Sequence, residues 1–142
     1  HLASVLAAGD LTALVAGSIE WLMLAGLKRA AARGAALGLA QTALRNLASL
    51  SAADALTGPA MRGDLATMQR HAATLDRRGL SLAPAASAHR WLSALAIQIA
   101  VQGKRIDASK VPQLFAALGL PAQAPGRTLR GSRRLARPEG SP

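Results

Sequence analysis

The stretch Thr57-Gly58-Pro59-Ala60-Met61-Arg62-Gly63-Asp64 is the part of this chain best equipped for chemistry. It places a hydroxyl, a guanidinium and a carboxylate close together among two glycines and a proline. Gly58-Pro59 is a turn signal, and a threonine ahead of it can bond local backbone. Glycine lets a ligand or another backbone approach closely. A guanidinium such as that of Arg62 holds a carboxylate or phosphate in a planar fork. Thr57, Gly58, Pro59, Arg62 and Asp64 therefore form a candidate substrate-binding set. The plain alternative is a tight interhelical turn with Asp64 as the N-cap of the next helix and a solvated arginine. On the residues alone, that alternative weighs more.

Little else has catalytic spacing. His1, His71 and His89 lie far apart in sequence, with no ligand spacing between them. His71 falls in mid-helix, and His89 beside Arg90 is expected to face solvent. A single histidine is more often structural than catalytic. The acids are scattered singly and cysteine is absent, so neither a metal site nor a disulfide is expected. There is no G-x-G-x-x-G turn, no phosphate-cradling P-loop and no strained serine turn for a nucleophile. The chain itself is therefore expected to bind no dinucleotide.

The elements that must position these groups are helices. Half the residues are hydrophobic, yet aromatic residues make up only 2%, leaving alanine and leucine to dominate. Those are helix formers, whereas strand-favouring residues are few. Leu2, Val5, Leu6, Leu11, Leu14, Val15, Ile19, Leu22 and Met23 recur at helical steps over 2–25. Gly26 then marks a helix end. A second helix over about 28–50 carries Leu37, Ala40, Leu44 and Leu47, and the short connection makes the two antiparallel neighbours. The second has few charges after Arg33 and is expected to be buried on more than one side. Ser51 to Asp54 starts a single turn. A third long helix runs from Asp64 to about Arg77 with Leu65, Met68, Ala72 and Leu75 inward, and 78–85 is a loop. A fourth covers about 86–102 and stops at Gly103. Asp107 or Ser109 caps a short last helix that has Pro112 in its first turn and ends at Gly119.

The formal net charge is +10. Arg127, Arg130, Arg133, Arg134 and Arg137 against Glu139 supply +4 of it in the tail, which leaves +6 over the first 120 residues without a stripe. Nucleic-acid binding is therefore not expected. Residues 11–27 are apolar, but with Asp10 and Glu20 they read as too short and too charged for a membrane span. With no visible secretory signal, the expected setting is cytoplasmic, without a membrane partner. A domain over 1–120 and a basic, disordered tail over 121–142 complete the division.

Beyond these features, the chain resembles an uncharacterised helical C-terminal domain. That domain follows a Rossmann-like NADP-binding domain in bacterial proteins related to deazaflavin-dependent NADP reductases. The resemblance rests on His1-Leu2-Ala3-Ser4-Val5, the Ala25-Gly26-Leu27 break, Thr42-Ala43-Leu44-Arg45-Asn46-Leu47, the T-G-P-x-x-R-G-D stretch, the His71 helix and Gly103-Lys104-Arg105-Ile106-Asp107. It covers about 1–119. It implies an all-α bundle like the C-terminal domain of 6-phosphogluconate dehydrogenase-like proteins. It also implies a partner Rossmann domain that binds NADP and lies outside this chain, and a homodimer. On this resemblance His1 starts the helix facing the cleft, as a catalytic candidate, and the Thr57–Asp64 loop borders that cleft. The proton-transfer lysine and acid pairs of some relatives have no clear counterpart in Lys28, Lys104 or Lys110. A non-enzymatic oligomerisation or adaptor domain is the alternative.

Overall fold

The computed structural model describes residues 1–121; the arginine-rich tail and the disorder expected of it lie outside these. The described residues form helices and no strand, so the domain is all-α. Helix α1 runs from Leu2 to Leu24, with a π-helical stretch over Val5–Asp10. Then come α2 (Arg29–Ser49), α3 (Ala52–Ala55), α4 (Pro59–Arg62), α5 (Leu65–Arg77) and α6 (Pro84–Gln102). A 3₁₀ turn, Ala108–Lys110, leads into α7 (Val111–Ala117).

The helix ends follow local chemistry. The Ser51 hydroxyl accepts the Asp54 N–H at 3.2 Å, and the Asp64 carboxylate accepts the Thr67 N–H at 3.0 Å. Asp107 takes the Ser109 N–H at 2.8 Å, so it, rather than Ser109, begins the last helical segment. Prolines stand in the first turn of α4, α6 and α7, where a missing N–H costs nothing.

The core lies around α6. Its buried Ala86, Ala94, Ile97 and Ala100 recur at helical steps and form one stripe. Ala60 of α4, Met68 of α5, and Leu114, Phe115 and Leu118 of the last segment form one core with its Ala94, Ile97 and Ala100. Ile97, Leu114 and Phe115 are its largest fully buried side chains. Gly103, just past α6, has no room for a side chain: a Cβ there would overlap the Ala53 Cβ. Arg105 pairs with Asp54 across the same junction. That pairing joins α3 to the connection that follows α6.

Helices α1 and α2 form an antiparallel hairpin that stands largely outside this core. Ala32 and Ala36 are the buried residues of α2, and α1 has none. Leu2, Leu6, Leu39, Leu44 and Leu47 are all more than half exposed. The expectation that α2 is buried on several sides is thus corrected. Its apolar positions go all the way round, but its one close partner, α1, covers a single alanine strip. The hairpin meets the body where Gly17 faces the Ala85 Cβ at 3.5 Å and Trp21 reaches His89. The 11–27 reading is corrected as well. The helix is continuous from Leu2, and its 23 residues are long and apolar enough, by length and composition alone, to cross a membrane. Helices covered by another protein surface share that composition.

Urea unfolding should separate the two regions. Phe115→Ala should cost about 3–5 kcal/mol through the cavity it leaves. Leu39→Gln should stay within about 0.5 kcal/mol in the dilute chain. Equal losses for both would mean that the α2 surface is covered after all.

Candidate functional site

The Thr57–Asp64 loop is built on backbone that only glycine adopts easily. Gly58 has φ 95° and Gly63 has φ 63°. Gly63 has ordinary space toward Ile106, at 3.7 Å from an added Cβ, so its conformation rather than crowding calls for glycine. The short α4 between them is held by the Asp64 N–H on the Pro59 carbonyl at 2.9 Å and the Gly63 N–H on the Ala60 carbonyl at 3.3 Å. Ala60 is buried in the core and Met61 packs against it. The loop is therefore clamped from below, while Thr57 and Arg62 are exposed above.

Each candidate residue has a definite place. Gly58 and Pro59 are half-buried in the turn, with Pro59 opening α4. Asp64 is the helix cap: one carboxylate oxygen already accepts the Thr67 N–H. Hydrogen bonds from Thr67, with smaller help from the Arg70 and Arg62 charges, hold the Asp64 carboxyl below its ordinary range. Arg62 is the side chain most open to an incoming anion.

His1 sits at the start of α1, where its carbonyl accepts the Val5 N–H at 3.1 Å. The π-helical stretch follows directly; such stretches are frequent at functional sites. Antiparallel pairing puts the start of α1 and the end of α2 at one end of the hairpin. The chain leads straight from there into α3 and Thr57. Among the described residues no hydrogen bond or ion pair joins His1 to the loop.

Two side chains read as isolated in the sequence meet in space. His71 of α5 and His89 of α6 have ring centroids 5.6 Å apart, and Trp21 lies 6.4 Å from His89. His89 is half-buried rather than solvent-facing. Burial, with the nearby His71 and Arg90 charges, pushes its pKa down, which favours the neutral ring. A signal for the meeting was present: His71 and His89 lie equally far from Leu80 in the connecting loop. Consecutive antiparallel helices bring such mirror positions together. Among the described residues no group of three or more His, Asp or Glu gathers as a cation would need.

These features define an all-α domain with one clamped, glycine-bounded loop. Over residues 1–96 the chain matches the family described as Domain of unknown function (DUF2520), and it belongs to that family. The matched span includes α1 to α5, the loop and both histidine positions of the α5–α6 pair. No curated protein and no solved structure matches the chain.

Acid should reveal the caps. Hydrogen bonds, together with the Arg105 charge at Asp54, lower the pKa values of Asp54, Asp64 and Asp107 in the folded chain. Their stabilisation is full above the unfolded carboxylate value of about 4 and disappears as pH falls through the lower folded values. Helix melting followed by circular dichroism should therefore show Tm falling below about pH 4. Asp64→Asn should start lower at neutral pH and fall less in acid. A variant with the wild-type acid slope would mean that the Asp64 carboxylate does not stabilise the fold.

Proposed function

We propose that this chain is the helical C-terminal part of an NAD(P)-dependent oxidoreductase whose Rossmann domain lies outside it. In this reading the chain lines the substrate side of the cleft and mediates dimerisation. Hydride chemistry belongs to NADP held by the Rossmann domain, while this chain orients the substrate. Arg62 is the anion-holding group, with Thr57 beside it and the Gly58-Pro59 backbone forming the close wall. Asp64 fixes the loop by capping α5. His1 orients the substrate or moves a proton at the end of α1.

The observation that carries this reading is the α1–α2 hairpin. It leaves a large apolar surface uncovered at the end of the molecule that holds His1 and leads to the loop. Exposed apolar surface of this extent marks a place where another protein body sits. A Rossmann domain and a second copy of the chain are the two bodies the reading requires.

The same surface supports a second reading, a non-enzymatic oligomerisation or adaptor domain. There the hairpins of two copies pair across a two-fold axis and no cofactor is involved. Basicity does not favour nucleic acid, because the described arginines form no single stripe and aromatic stacking residues are few. A cytoplasmic setting without a membrane partner is part of the proposal.

The test is an NADPH fluorescence titration on the longest natural polypeptide that contains this segment, with the 142-residue chain as control. Saturable binding by the long form alone is expected. In that form Arg62→Ala should weaken substrate binding about ten- to a hundredfold, the cost of losing a charge-assisted contact. His1→Ala should lower turnover with NADPH binding intact. No binding by either form, with dimers by light scattering, would replace the oxidoreductase reading with the adaptor one.

A further inference from the structure

A second candidate site lies at the other end of α5. Asp64 caps the start of that helix and Arg78 follows its end, so 13 helical residues, about 20 Å, separate the site from the Thr57–Asp64 loop. Here residues of α1 and α5, with His89 of α6, line an open cavity of about 360 Å³. That is within the usual span for small-molecule sites, roughly 300–1,000 Å³.

The lining has two parts. One part is aromatic and apolar: Trp21, Leu75 and His89 stand there with the exposed His71. The chain has only two tryptophans, one phenylalanine and no tyrosine, so gathering a tryptophan and two imidazoles around one space is a marked concentration. Their rings are not stacked flat on one another: Trp21 meets His89 at 69° and His71 meets His89 at 54°. The lowered pKa of His89 keeps its ring largely uncharged near neutral pH and able to accept a hydrogen bond.

The other part is polar and carries one full positive charge. Thr74 and Arg78 stand there, and no carboxylate lines the cavity. Arg78 donates one hydrogen bond, at 3.4 Å, to the Leu24 carbonyl and makes no ion pair among the described residues. The ends of α1 and α5 converge here, and exposed carbonyls would repel an anion. Backbone N–H groups cover several of those carbonyls: Leu27 on Leu22 at 3.1 Å, Gly26 on Met23 at 2.9 Å, Leu80 on Leu75 at 2.8 Å and Gly79 on Asp76 at 3.0 Å. The guanidinium keeps donors for a ligand.

We propose that this cavity binds a small planar aromatic carboxylate, with its rings among Trp21, His71 and His89 and its carboxylate on the Arg78 guanidinium. The Thr74 hydroxyl donates to the Arg70 carbonyl at 2.8 Å, so one guanidinium is the donor here, which suits a monoanion; a phosphate dianion would need further donors. The site does not depend on NADP or on the function of the Thr57–Asp64 loop.

The test uses the ¹⁵N-labelled 142-residue chain and 2-naphthoate, with 2-naphthalenemethanol as the uncharged analogue. The Trp21 indole N–H is the reporter, and the exposed Trp91 indole is the internal control. Naphthoate should shift the Trp21 signal saturably, leave Trp91 in place and bind at least about tenfold more tightly than the alcohol. Arg78→Gln should remove that preference, and His89→Ala should weaken both probes. The comparison of the two probes on the unaltered chain does not depend on any variant folding. The proposal is overturned by no saturable Trp21 shift at millimolar naphthoate, by equal affinity for the alcohol, or by an unchanged preference in a folded Arg78→Gln chain.

Discussion

The buried core of this domain is built on the inner face of α6. Ala86, Ala94, Ile97 and Ala100 give that face a low profile, so neighbours come close to its backbone. Ala60 reaches it from the loop, Met68 from α5 and Phe115 from the last helix. Just past its end, Gly103 lets α3 in at a distance no side chain would allow. Close packing of this kind transmits position well, because a dense interior yields little. The glycine-bounded loop is therefore presented from a rigid base, although its Thr57 and Arg62 are exposed.

The α1–α2 hairpin obeys the opposite rule. It is apolar by composition but has one helical partner and a narrow line of contact with the body. Its Ala32 and Ala36 strip is covered and its leucines are not. Isolated helices are marginal in water, and tertiary cover supplies most helical stability in proteins. The two regions are thus unequal: a body that holds itself together, and a hairpin that leaves most of its apolar surface open. The family match spans both regions up to residue 96, so the uncovered hairpin is part of the domain as the family defines it.

Much of this was legible in the sequence. The helix pattern, the Gly26 and Gly103 stops and the Asp64 cap follow from propensity, periodicity and capping chemistry, which are local. Burial was less legible. The α2 helix has the composition of a buried element, and only the placement of its neighbours reveals that most of it is open. The meeting of His71 with His89 and Trp21 was harder still to read, because it depends on three helices and not on spacing along one. The loop is intermediate: its glycines announced a special backbone, but only the fold shows that Ala60 anchors it and that Asp64 spends its carboxylate on the Thr67 N–H.

The central claim is that stability resides in the α6-centred body while the sparsely buried hairpin adds little to it. Native-state hydrogen exchange on the dilute, monomeric chain tests it most directly. The account predicts that amides in α6, around Ala94 to Ala100, exchange only with global unfolding, while those of α1 and α2 exchange through far easier local openings. Equal, full protection of both regions in the monomer would contradict it.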